Sequence, residues 1–116
     1  MSMKKVSLKT QYPVDTGEIT INIVIGEGQL GSSVVFLDST EIKRGDIRQL
    51  AIGKGQEIKG HKIFIKTVVS DINDKTNRTS VTYIIEGGKE KYQQTLEAIV
   101  EENGDVIRYY AEIELS

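Results

Sequence analysis

The sequence predicts an all-β fold: a single-domain antiparallel β-sandwich of about eight strands over residues 1–116, with a closed or partly open β-barrel as the alternative. Three observations predict it. Apolar and polar residues alternate with a period of two over long stretches, glycine-containing turn signals interrupt those stretches at short intervals, and no segment sustains a 3.6-residue period.

The elements follow in order. Val6, Leu8, Thr10 and Tyr12 alternate with Lys5, Ser7, Lys9 and Gln11, which predicts a half-buried strand over 5–12. Ile19, Ile21, Ile23 and Ile25 alternate with Thr20, Asn22 and Val24 and predict a strand over 18–26. Further strands are expected over 32–38, 47–52, 61–71, 79–87, 91–101 and 106–115. Between them, "DTG", "GEGQLGSS", "KRGD", "GKG", "KGH", "EGGK" and "ENGD" read as turns or loops, with a long connection over 39–60. Nothing in the chain reads as a repeat, a low-complexity tract or a linker.

"KEKYQQTLEAIVEENG" has helix-friendly letters, and the turn decides against a helix. Asn103-Gly104 is a strong hairpin signal, because both central residues of a type I′ turn need positive φ. A two-residue turn there pairs Val100 with Ile107, Ala98 with Tyr109, Leu96 with Ala111 and Tyr92 with Leu115. Apolar meets apolar down one face, and a one-residue slip sets Leu96 against Glu112, so a C-terminal hairpin in this register is expected.

Composition bounds the chemistry. The chain has no cysteine, which excludes disulfides, thiolate metal sites and a cysteine nucleophile. Net charge is −2 with one histidine, five tyrosines, two phenylalanines and no tryptophan. Lysines alternate with glutamates instead of forming a basic stripe, so nucleic acid is not the expected partner. The start "MSMKKVSLKTQYPVD" lacks an apolar run of signal-peptide length, and no stretch has the roughly 18 apolar residues that span a bilayer. The chain reads as soluble, with no membrane partner and no assigned compartment.

The motifs that suggest chemistry lack the context it needs. "GEGQLG", residues 26–31, matches G-x-G-x-x-G, but a dinucleotide fingerprint must open a helix, and "SSVVFLD" reads as a strand. "GQEIKGHK" misplaces the lysine of a P-loop and lacks its hydroxyl. "DINDKTN" offers Asp71, Asn73 and Asp74 to a hard cation but has Lys75, Thr76 and Thr82 where an EF-hand needs Asp or Asn, Gly and Glu. "RGD" (Arg44–Asp46) reads as a polar turn, and "NRT" (Asn77–Thr79) is a glycosylation sequon. His61 has no second histidine, and Glu112 and Glu114 read as a solvated face. The expectation is no enzyme, no cofactor and no metal.

One anomaly points to function. Val24, Phe64, Val68 and Ile84 lie on strand faces opposite other apolar residues, and Val34, Val35, Phe36 and Leu37 make one strand apolar throughout, where a lone sandwich should be polar on its outer faces. The outer face of the expected hairpin adds Ile99 opposite Arg108, Glu97 opposite Tyr110, and Val106 diagonal to Ile99. Ile99, Val106, Arg108 and Tyr110 are therefore the candidate interaction surface. The expected function is non-enzymatic protein contact, through self-assembly or as a subunit of a larger complex. The alternative is a small barrel carrying an apolar ligand.

Overall fold

A computed structural model describes residues 3–116. Its strands run β1 (Met3–Tyr12), β2 (Glu18–Ile25), β3 (Leu30–Leu37), β4 (Thr40–Gly45), β5 (Leu50–Lys54), β6 (Lys62–Ser70), β7 (Arg78–Glu86), β8 (Tyr92–Ile99) and β9 (Val106–Leu115), with one helical turn, α1 (Gly55–Ile58), before β6. They form two sheets, ordered β1-β9-β6-β3-β4 and β5-β2-β7-β8. The chain is an all-β sandwich and does not close into a barrel.

The period-two pattern does what it predicts. Ile19, Ile21 and Ile23 of β2, Val81, Tyr83 and Ile85 of β7, Ile63, Ile65 and Val69 of β6, and Ile107, Tyr109 and Ile113 of β9 are buried between the sheets. A fully buried isoleucine contributes roughly 1.5–3 kcal/mol, so these facing rows supply most of the driving force.

Four expectations need correction. First, β4 forms inside the stretch 39–60 that reads as a loop, and β5 starts at Leu50 instead of residue 47. The strand β4, "TEIKRG", is exposed along most of its length, so the burial that makes alternation legible is missing. Second, Gly55–Ile58 is helical although no helix is expected; Ile58 plugs the core from a turn too short to show a period. Third, the sandwich is not wholly antiparallel: β1 lies parallel to β9, in register from Met3 beside Val106 to Tyr12 beside Leu115. Parallel pairing needs a long connection, here the whole chain between them.

The fourth correction is the largest. The C-terminal hairpin does not form: β8 pairs with β7, and β9 pairs with β6 and β1 in the other sheet. Gly104 has φ +87°, but Asn103 is not in the positive-φ region that a type I′ turn demands. Glu102–Asp105 instead makes an ordinary turn, with the Asp105 N–H donating to the Glu102 carbonyl at 3.2 Å. Gly104 N–H donates to the Asp71 carbonyl and Asp71 N–H to the Asp105 carbonyl, which tie the crossover to the end of β6. Apolar-to-apolar matching misleads here because β8 and β9 both face the same core from opposite sides.

Polar groups join the two layers. Thr79 donates to the Ala98 carbonyl at 2.9 Å, so the Tyr109 hydroxyl, 2.6 Å away, donates to Thr79 across the sandwich. The Tyr83 hydroxyl lies near Thr67, yet it is buried with no hydrogen bond of good geometry among the described residues. Burial pushes the ionisation of both tyrosines up, with neighbouring hydroxyls opposing it. Their neutral form is the folded one, so stability is lost as pH rises beyond the ordinary tyrosine range of about 10. Tyr83→Phe removes an unmatched hydroxyl and is expected to raise stability by about 1 kcal/mol, whereas Tyr109→Phe breaks the bridge and lowers it by about the same amount. Thermal denaturation of the two variants at pH 7 checks the opposite signs.

Candidate interaction surface

The crossover makes β9 a central strand, and that places β1, β9, β6 and β3 side by side. Cross-strand neighbours on one face sit about 5 Å apart, so register alone assembles the surface. Outward rows run Lys5, Arg108, Val68, Ser32, then Ser7, Tyr110, Lys66, Val34, then Lys9, Glu112, Phe64, Phe36. Phe36, Phe64, Tyr110, Val34 and Val106 are half-buried and Val68 is exposed. The result is a contiguous aromatic and aliphatic band with cations through it.

Of the sequence-predicted set, Val106, Arg108 and Tyr110 share this outer face. Ile99 does not. It sits at the end of β8 in the other sheet, beside Arg78, because the hairpin that would have brought it to Arg108 is absent. Glu97 likewise lies beside Ser80 and not beside Tyr110. The sequence marks Val34, Val35, Phe36 and Leu37 on one strand, and Phe64 and Val68 on another, as apolar on both faces, without a strand order to join them. Lys5 and Lys66 carry no such signal in the sequence.

The other outer face is a useful contrast. Ile84 lies between Asn22 and Gln93, and Val24 beside Thr82, whose hydroxyl bonds that of Thr95 at 2.8 Å. Hydrophobes there stand singly among polar groups, which is ordinary for a soluble surface. On the five-stranded sheet Phe36 and Phe64 are directly opposed across strands, and Tyr110 lies diagonal to both Phe64 and Val68.

Cations condition the aromatic band. Lys66 Nζ is 5.5 Å from the Phe36 ring centre and Lys5 Nζ 6.0 Å from that of Tyr110, within cation–π range. Glu112 takes Lys9 at 3.4 Å and Lys62 at 3.8 Å. Lys5, Lys9, Lys62, Lys66 and Arg108 outnumber Glu112 and Glu114, so the face is basic on a chain of net charge −2. Two shallow hollows flank Phe64 and Lys66. One, of about 280 Å³, is lined by Ser7, Lys9, Tyr110 and Glu112, and the other, of about 380 Å³, by Phe36, Asp38 and Ser39.

Beside the second hollow, Asp38 holds the turn that starts β4. Its φ is +54°, and its carboxylate accepts from Lys62 N–H at 3.0 Å and contacts His61 Nδ1 at 2.5 Å. The hydrogen bond from the Lys62 backbone, then that from His61, holds the Asp38 carboxyl below its ordinary value. A depressed carboxyl stabilises the fold above its unfolded pKa and loses that contribution as pH falls through the acid range. Asp38→Asn is therefore expected to lower the melting temperature at pH 7, with the difference from the parent shrinking as pH falls below about 4. A melting series across pH 3–7 checks this.

The remaining motifs resolve as structure. "GEGQLG" links β2 to β3 across the two sheets, with Glu27 at φ 60° and Gly28 at φ 68°, and no helix follows. Its Gln29 enters the 71–78 loop. Gln29 Nε2 donates to Asp71 Oδ1 at 2.6 Å and to the Thr76 and Arg78 carbonyls, while Oε1 accepts from Ile72 and Asn73 N–H. Asp71 is buried, whereas Asn73 bonds Glu27 and Lys75 and Asp74 is exposed, so "DINDKTN" does not converge on a cation. Among the described residues no three His, Asp or Glu side chains are placed to hold a metal. "RGD" closes β4 instead of lying in a free loop, and Asp46 pairs with Arg48 at 2.8 Å. Thr79 of the sequon is buried.

No family model matches the chain, and neither curated proteins nor solved structures give a match. The site therefore stands on its own geometry.

Gln29→Ala strips a buried carboxylate and two backbone N–H groups of their partner. It is expected to cost on the order of 3 kcal/mol, read as a shifted midpoint in urea with an unchanged slope.

Proposed function

We propose that this chain is a non-enzymatic β-sandwich that works by protein contact, through the outer face of its five-stranded sheet. The observation that carries the reading is the contiguous band Phe36–Phe64–Tyr110 with Val34, Val68 and Val106, threaded by Lys5, Lys66 and Arg108. Aromatic anchors beside arginine are the composition that dominates interface energetics. The partner is an apolar protein surface with an acidic rim, since that is what the excess of cations complements.

A single-stranded nucleic acid is the competing occupant of an aromatic, basic sheet face. Two features favour protein. Glu112 and Glu114 stand on the outward side of the C-terminal half of β9, beside Phe64 and the lysines, and Glu112 already engages Lys9 and Lys62. Lys66 and Lys5 also lie over the rings that bases would stack on. No helix of the described residues is long and apolar enough to cross a membrane. The carrier alternative rested on an enclosing barrel wall, which the two open sheets do not provide.

Affinity capture with the parent chain and three variants tests the reading. Tyr110→Ala and Phe64→Ser are expected to weaken a specific protein contact by about 2 kcal/mol or more. They should leave the fold nearly intact, because the core lies on the Tyr109 and Ile65 side. Lys66→Glu should slow association and weaken its salt dependence. Capture of nucleic acid, or of the same proteins by all variants, would count against it.

A further inference from the structure

The two sheets have β1, β4, β5 and β8 at their edges. An edge strand offers unpaired N–H and C=O groups to any passing strand, and folds blunt that risk with lysines, bulges or shortness. Three of these edges are blunted. β1 carries Lys4, Lys5 and Lys9; β4 has a register shift opposite Val35 and Phe36 and carries Lys43 and Arg44; β5 is short and shifts register opposite Ile19 and Thr20. β8, "YQQTLEAI", is not. It has no lysine, arginine or proline, one charge at Glu97, and unbroken register against β7 from Ile99 to Tyr92.

The pairing parity tells which of its backbone groups are free. Val100 N–H donates to the Asn77 carbonyl, the next step of the β7–β8 ladder. In an antiparallel pair hydrogen-bonded residues alternate, so Ala98, Leu96, Gln94 and Tyr92 point their backbone at β7. Gln93, Thr95, Glu97 and Ile99 point theirs outward. Side chains already seek two of those carbonyls: Lys4 Nζ donates to Ile99 O at 2.6 Å, and Gln94 Nε2 reaches Thr95 O at 3.4 Å.

We propose that β8 pairs antiparallel with β8 of a second copy about a two-fold axis at Gln94, joining two four-stranded sheets into one of eight strands. This register is singled out by chemistry. It sets Thr95 against Gln93 of the second copy as a hydrogen-bonded pair and Glu97, which lies 3.8 Å from Arg78 within its own sheet, against its Lys91, so the one charge on the edge gains a second opposite charge. On the inner side Leu96 meets Tyr92. Ile99 lies beyond the pairing and keeps its bond to Lys4. Centring on Thr95 would put Ile99 against Lys91 and compete with Lys4 for the Ile99 carbonyl. Centring on Gln93 would also give Glu97 a lysine, Lys89, but would put Leu96 against Glu90. The second copy is the occupant because a two-fold repeat of this strand sets Glu97 against Lys91 twice over, a charge complementarity that the edge carries within itself.

Light scattering and cysteine cross-linking on the full chain test it. The parent should show twice its 12.9 kDa mass at high concentration and dissociate on dilution. Thr95→Pro removes an outward N–H that β7 does not use, so it should yield a folded monomer. Glu97→Lys should weaken the dimer at least tenfold, and Glu97→Lys with Lys91→Glu should restore it. The chain has no cysteine. Gln94→Cys should therefore cross-link to itself on oxidation, because non-hydrogen-bonded neighbours sit at disulfide distance, while Thr95→Cys should not. A monomer at all concentrations, or cross-linking through Thr95→Cys in place of Gln94→Cys, overturns the proposal. Tyr110→Ala lies on the other sheet's outer face and should leave the dimer mass unchanged, so this proposal and the outer-face reading fail separately.

Discussion

Everything distinctive in this molecule depends on where β9 sits. It lies between β1 and β6, with Ile107, Tyr109, Ala111, Ile113 and Leu115 turned into the core. A strand flanked on both sides commits its backbone hydrogen bonds within the sheet. For β9 to reach that place, the chain must leave β8 and cross the sandwich over residues 100–105. Val100 is buried on the way, and the turn is fastened to the end of β6 through Asp71, Gly104 and Asp105. Gln29 holds the neighbouring loop from the other crossover, between β2 and β3. One end of the sandwich is therefore a set of interlocked crossovers held by polar contacts, while the middle is held by apolar burial.

The same placement generates the candidate surface. With β9 in the middle, Tyr110 and Arg108 lie beside Lys66 and Val68 on one side and Ser7 and Lys5 on the other. Had β9 paired with β8, Tyr110 would have faced Glu97 and Arg108 would have faced Ile99, giving a small mixed patch. The extended aromatic band exists because β6 and β3 follow β9 in the sheet. The departure of β9 also leaves β8, among the described residues, with β7 as its only ladder partner, so the unblunted edge and the aromatic face have one topological origin.

The buried hydroxyls show how unevenly polar groups are treated in such a core. Tyr109 and Thr79 form a bridge between layers that ends on the Ala98 carbonyl, and every proton in it has an acceptor. Tyr83 is equally buried and has no such chain. Desolvation weighs on both, and only one is compensated. The Asp38–His61–Lys62 cluster, in contrast, is solvent-facing and local: it stabilises one left-handed residue at a turn.

By itself the sequence determined the all-β class, the positions of most strands and which side of each strand is buried. Alternation at a period of two is imposed by the backbone pleat and needs no knowledge of the neighbour. It also marked the strand over 34–37 and that of Phe64 and Val68 as apolar on both faces, and read "GEGQLG" as a turn for want of a following helix. Strand order, the parallel β1–β9 pair and the composition of the surface were decided by tertiary structure alone. Two inner faces of a sandwich are both apolar, so matching apolar residues across a turn cannot distinguish a partner in the same sheet from a strand across the core. Asn103-Gly104 made the hairpin plausible locally, but the hydrogen bonds and burial that β9 gains between β1 and β6 outweigh one turn preference. Ile99 was separated from Val106, Arg108 and Tyr110 for that reason, and Phe64 and Lys66 took its place beside them.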